Sequence, residues 1–460
     1  MTLPLPIRSS WWIASVVVVV AGCGEPAAYV CTRDDQCIQD GVAGVCRDGA
    51  CSFVEACGGA GQACCTTETA CASGTCIDGG CRSCIQDVAF GRRFGCVLKT
   101  DGTIWCAGEN LSGQLGSGTA GDDRPTREPV RTVVDNAIID DAIQIALGKA
   151  HGCAIRADTS VWCWGANHVG QLGNGTTNTL QPGAVQVLAG GSPLLGASEV
   201  RSGSAHTCAI TTAGDVYCWG YNAEGELGDG LTATRDQAAP VLTAPMGSVF
   251  TGARSLASSA GTNCVHRGID EVWCWGADNH GQFGFGTLGS HPSPALIGNA
   301  PAFALGHGQI CLVRAASVEC TGGAAHGSLA NGEAGGALDV LAPVAMKDDD
   351  GSDFTGAAAV VFAGGGGGCA RMNDRSVQCW GDNQYGQAGT GKAVRFPEPV
   401  IDDDGMPVTE VDRVIAAFPH ACARKITGEW LCWGRNSQGE LGDGTFSNRP
   451  LAAPLDVSCP

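Results

Sequence analysis

Apolar and polar residues alternate in short runs along most of this chain. In Cys153-Ala154-Ile155 and Val161-Trp162-Cys163, every second residue falls on the same side, and a short polar turn lies between the two runs. A period of two on either side of a turn predicts an antiparallel hairpin in which Cys153 faces Cys163 and Ile155 faces Val161. The pattern returns, with decay, seven times between residues 91 and 444. The second cysteine of each copy stands at Cys106, Cys163, Cys218, Cys274, Cys320, Cys379 and Cys432. A near-constant spacing of this length means a repeat architecture. The units are rich in glycine and strand formers and contain no amphipathic helical stretch, which suits four-stranded blades around an axis. Seven units close a ring, whereas an open stack would need polar caps that the ends do not show. The expected fold is all-β, a seven-bladed β-propeller over residues 84–460.

The most complete copy reads Gly148-x-x-His151-x-Cys-Ala-Ile, followed by Val161-x-Cys-Trp-Gly-x-Asn-x-x-Gly-Gln-Leu-Gly-x-Gly. It resembles the repeat of the chromosome condensation regulator family, whose members form seven-bladed propellers. The resemblance covers residues 85–457. The paired cysteines are an addition to the family pattern, as expected of an exported version. Unit five departs most: Cys320-Thr-Gly-Gly stands where the others read Cys-Trp-Gly-x, Ala324 replaces Asn and Ala330 replaces Gly. Unit one has Ala107 for Trp, and unit four has Asp278 for Asn. Blade five should therefore be the least regular.

The motif residues read as framework. Glycines such as Gly170, Gly173 and Gly175 supply positive φ or close backbone approach. Asn167, Asn222, Asn383 and Asn436 are expected to bond their own backbone two residues on. Leu115, Leu172, Leu227 and Leu441 should plug the space between blades. Trp164, Trp219, Trp275, Trp380 and Trp433, on the strand face opposite the cysteines, should pack there with their indole N–H groups bonded. His151, His206 and His420 share one position in different blades, so they cannot form one metal site and are read as structural.

Composition changes the picture in one direction. Forty-six acidic residues against 27 Lys and Arg give a net charge of −19, which repels phosphate backbones and argues against nucleic-acid binding. Residues 1–22 hold a short apolar run, Trp11 to Ala21, that suits an export signal better than a membrane span. The run ends Val20-Ala21-Gly22-Cys23, similar to a bacterial lipoprotein lipobox. That similarity implies acylation of Cys23, a tether over 23–30 and a lipid anchor in the cell envelope, at the outer membrane or cell surface. An ordinary secretory signal cut nearby is the alternative. Residues 31–83 are dense in cysteine and poor in large apolar side chains, a segment that must be stapled by disulfides.

Oxidising export makes the 27 cysteines disulfide formers. The expected blade bonds are Cys96–Cys106, Cys153–Cys163, Cys208–Cys218, Cys264–Cys274, Cys311–Cys320, Cys369–Cys379 and Cys422–Cys432. With Cys23 lipidated and ten cysteines in the N-terminal units, Cys84 and Cys459 remain; they flank the ring and are expected to clasp it.

Candidate chemistry is sparse. Asp348-Asp-Asp350-Gly-Ser-Asp353 gathers oxygens as calcium sites do, with Asp348, Asp350 and Asp353 as ligands. The similar Asp402-Asp-Asp404-Gly405 one repeat later favours a hairpin turn instead. The glycine run 364–368 lacks the Lys-Ser/Thr of a phosphate loop, and no Gly-x-Ser-x-Gly or His-Glu-x-x-His occurs. No cofactor other than calcium is suggested. The expected role is a monomeric protein-binding scaffold working through segments 119–143, 176–199, 231–255, 287–302, 333–358 and 392–412, whose acidic runs suit a basic partner. The resemblance implies protein binding too, since family members bind proteins and one secreted bacterial type inhibits β-lactamase. An envelope propeller enzyme acting on carbohydrate is the alternative. Guanine-nucleotide exchange, the founding member's activity, has no residue in the repeat motif to carry it over.

Overall fold

The structure, a computed structural model, describes residues 83–455 except 179, 315–316, 333–338, 363, 393 and 418, with six short strands before them. Cys23 and Cys459 lie outside the described residues. So do the side chains of the cysteines between 31 and 81. The chain divides into two units, Met1–Arg82 and Ser83–Pro460. In the first, Ile38–Gln39 pairs with Val42–Ala43 and Val45–Arg47 with Ala50–Ser52, each antiparallel.

The second unit is a seven-bladed all-β propeller. Each blade takes its four main strands from one continuous stretch, paired in sequence order from the inside outward. Blade two runs Ala142–Leu147, His151–Arg156, Val161–Ala166 and Leu180–Gln186. Its second and third strands pair Cys153 with Cys163 and Ile155 with Val161, the register that the period of two requires. The first strand begins at Ile85 and the last described one ends at Pro454. Blade three is wider: Leu188–Ala189 and Ser192–Pro193, from the connection before it, extend its outer edge.

The core lies between blades rather than within them. Two neighbouring sheets turn apolar faces to one another, so Leu172 of blade two packs with Trp219 of blade three, and Leu227 of blade three with Trp275 of blade four. Five motif tryptophans are fully buried. Removing one such indole from water is worth roughly 4–6 kcal/mol at the usual transfer coefficient. Each indole N–H donates to a backbone carbonyl of the preceding blade: Trp164 to Gln114, Trp219 to Gln171, Trp275 to Glu226, Trp380 to Ser328 and Trp433 to Gln387, all within 2.8–3.0 Å. The contact leaves no room for a side chain on the facing turn. A Cβ on Gly173, whose φ is 68°, would lie 2.8 Å from the Trp219 ring.

Blade five keeps four strands but differs where its motif decays. Thr321 stands at the tryptophan position and sends its hydroxyl to the same carbonyl, that of Gln282, at 2.6 Å. Ala330, at the Gly173 position, is held at a φ of 48°, in the left-handed region that costs a residue bearing a Cβ about 1 kcal/mol.

Seven disulfides cross the middle strand pairs: 96–106, 153–163, 208–218, 264–274, 311–320, 369–379 and 422–432. All seven are local to one blade, so they staple hairpins and cross none of the seams between blades. Cys84 is also disulfide-bonded; its expected partner, Cys459, is outside the described residues.

Candidate functional site

Topology sorts the loops onto two faces. The first-to-second-strand connections and the motif loops share one face and are tied together by backbone bonds: Ala166 N to Ala150 O, Tyr221 N to Ala205 O and Ala277 N to Gly261 O, each 2.9 Å. The second-to-third-strand turns and the connections between blades form the other face, joined by bonds such as Ala142 N to Gly102 O at 3.0 Å. The segments expected to vary and bind, 119–143 and its counterparts, therefore contain the outermost strands of the first six blades and reach both faces.

The motif loops are built by a repeated pair of side chains. The asparagine bonds five residues on, not two: Leu172 N donates to Asn167 Oδ1 at 3.1 Å, Leu227 N to Asn222 at 2.8 Å and Leu441 N to Asn436 at 2.8 Å. Its amide reaches the carbonyl nine residues on, as from Asn167 to Thr176 at 3.0 Å. The correction follows from burial, because the asparagine sits inside the loop and spans it. The two-residue bond belongs to the next polar position, where Gln114, Gln171, Glu226 and Glu440 accept the amide two residues earlier.

The histidines are likewise structural. His206 Nε2 donates to Asn263 Oδ1 in the next blade at 2.9 Å, and His151 Nε2 meets Thr207 Oγ1 at the same distance. Burial lowers the pKa of His151 to about 3 and those of His206 and His420 to about 4, so all three are neutral over most of the pH range.

The two faces differ in charge. The face of inter-blade connections carries exposed Asp101, Asp349, Asp350, Asp374, Asp403 and Asp404. Its acidic runs are hairpin turns: Gly351 N donates to Asp348 O at 3.0 Å and Gly405 N to Asp402 O at 2.9 Å. Ser352 N bonds Asp350 Oδ1 at 2.8 Å, and Lys347 holds Asp353 at 2.5 Å. Among the described residues, no three His, Cys, Asp or Glu side chains are grouped to hold a metal ion. The motif face carries exposed His168, His280, His307 and His326 with Arg92 and Lys149.

On the axis lies a cavity of about 1070 Å³ lined by the innermost strand of every blade. Sequence reasoning missed it, since its residues stand outside the motif and only ring closure brings them together.

Models of the regulator of chromosome condensation (RCC1) repeat match residues 85–114, 142–171 and 198–226, and a second model of that repeat matches 158–210. The comparisons support RCC1-type repeats in this chain. Human E3 ubiquitin-protein ligase HERC2 is 28% identical over 353 residues, which are 76% of this chain and 6% of HERC2. The chain thus spans a small fraction of that relative's length. The ultraviolet-B receptor UVR8 of Arabidopsis thaliana is 26% identical over 367 residues, 77% of this chain and 78% of UVR8. Among solved structures, yeast RCC1 (Prp20) bound to Kap60 superposes with a TM-score of 0.61 at 18% identity, covering 77% of this chain and 84% of that one. A second structure of Prp20, a protein of Saccharomyces cerevisiae with binding properties to Gsp1p and histones, gives the same TM-score at 80% and 86% coverage. These structures share the seven-bladed fold described above.

Proposed function

We propose that the propeller is an extracytoplasmic, lipid-anchored platform that binds a basic protein partner on its acidic face. The observation that carries the reading is the ring's division of labour. Disulfides, indoles and asparagines hold the blades, while exposed aspartates of successive inter-blade turns collect on one surface. Loops held by a rigid scaffold are where binding usually resides, and a single-signed field steers an oppositely charged partner. Prp20 is a protein binder on the same fold, which supports the reading without supplying a partner. Catalysis has no comparable support, because the histidines shared by the seams make framework bonds.

The test is capture from envelope extract on the immobilised whole chain, repeated with Asp349→Asn/Asp350→Asn/Asp403→Asn/Asp404→Asn. A discrete basic protein should be retained by the parent and released by the variant or by salt. Retention by both equally, or by neither, would remove the proposal. The anchor is tested separately: radiolabelled fatty acid should enter the parent and not Cys23→Ser.

A further inference from the structure

The axial cavity has an electrostatic sign opposite to that of the chain. Four cationic side chains line it, Arg92, Lys149, Arg201 and Arg413, against two carboxylates, Asp87 and Asp382, in a protein of net charge −19. Two of the cations are engaged: Arg413 pairs with Asp87 at 2.9 Å and Arg201 with Glu199 at 2.8 Å. Arg92 and Lys149, from blades one and two, are exposed at the motif-face end and form no ion pair among the described residues. His307 of blade five lines the same end of the cavity. Asp382, on the same cavity, accepts Gln384 N at its Oδ1 at 3.1 Å.

Below this polar mouth, besides the two paired arginines, the walls carry the apolar Ala89, Ala146, Ala257, Leu305, Val361 and Ile415. Apolar walls with a few convergent polar groups characterise small-molecule sites, which occupy roughly 300–1,000 Å³. Low-dielectric walls also focus the field of the two uncompensated cations into the cavity.

We propose that the axial cavity binds a small amphipathic anion, with its oxyanion head between Arg92 and Lys149 and its apolar body along the blade-one to blade-seven walls. The site is distinct from the protein-binding face, because Arg92 and Lys149 stand on the motif face and its lining includes none of the acidic turns. A guanidinium grips an oxyanion through paired N–H donors, and an ammonium adds a point charge. Carboxylate and phosphate heads share this chemistry.

The experiment is calorimetric titration of the whole chain with octanoate, octyl phosphate and octylammonium, on the parent, Arg92→Gln/Lys149→Gln and Ala257→Leu. Both anions or one of them should bind the parent, which assigns the head group, and octylammonium should not. The double variant should bind at least tenfold more weakly through lost charge. Ala257→Leu, which keeps both cations, should weaken binding by filling the cavity. No anion binding, or anion binding unchanged in both variants, would overturn the assignment.

Discussion

Two seams of the ring solve the same packing problem with different chemistry. Between blades three and four the motif indole and histidine are both in place: Trp275 bonds the Glu226 carbonyl, and His206 meets Asn263, which bonds that carbonyl as well at 2.8 Å. Between blades seven and one the tryptophan is replaced by Ala107, while the histidine of blade seven, His420, packs against Phe90 of blade one with ring centroids 4.8 Å apart. Arginines fill the gap. Arg435 pairs with buried Glu440 at 2.8 Å and reaches the Arg92 carbonyl at 2.8 Å. Arg127 bonds the carbonyls of Leu441 and Gly442, and Arg413 pairs with Asp87. The closing seam has no shared strand, so side chains must carry what continuity of chain gives elsewhere. Long guanidinium arms reach across a junction with no motif indole to fill it.

The contrast can be broken most severely at Arg435. Its side chain and that of Glu440 are 9% and 0% exposed. Arg435→Met therefore leaves a buried carboxylate unpaired, a change that typically costs about 3–5 kcal/mol. The denaturation midpoint should fall sharply, and the added Glu440→Gln should restore much of it, because glutamine is what blades one, two, four and six carry there. Equal midpoints for Arg435→Met and the parent would show that the charged seam contributes nothing to closure.

Acid should weaken the histidine seams next. A histidine held neutral has its folded pKa below its unfolded one, so the unfolded state binds more protons as pH falls. The stabilisation is complete above the unfolded value near 6.5 and is lost as pH drops toward the folded value, about 4 for His206. Within that window each such group changes stability by about 1.4 kcal/mol per pH unit. His206→Gln, which keeps a donor to Asn263, should flatten the pH dependence of stability between 6 and 4. An unchanged slope would mean that His206 does not titrate on unfolding.

Much of this framework was legible in the sequence because it repeats. The cysteine register, the buried indoles and the shared histidine position each recur, and repetition separates a structural requirement from chance. The asparagine bond was misread because a local turn and a loop-spanning brace use the same residue type. The axial cavity was illegible for a different reason. Arg92 and Lys149 come from different blades, and no periodicity marks a site that exists only when seven innermost strands share an axis.

The smallest expected effect sharpens the comparison at a single motif position. Blades three and seven both carry glutamate where most blades carry glutamine. Glu440 has Arg435 as its counter-charge, but Glu226 forms no ion pair among the described residues, and burial raises its pKa to about 7. A carboxyl whose folded pKa lies above its unfolded one near 4.5 destabilises the fold once it must ionise. The penalty is full above pH 7, declines through the window from 7 to 4.5 and is absent below it. Glu226→Gln keeps the acceptor for Glu224 N and removes the charge, so it should stabilise the protein at pH 8 by about 1–2 kcal/mol and have little effect at pH 4. The same substitution at Glu440 should destabilise at pH 8, because it strips Arg435 of its counter-charge. Thermal denaturation of both variants at the two pH values distinguishes a seam that tolerates a carboxylate from one built around it, and a gain at both positions would mean that the Arg435 pair stabilises nothing.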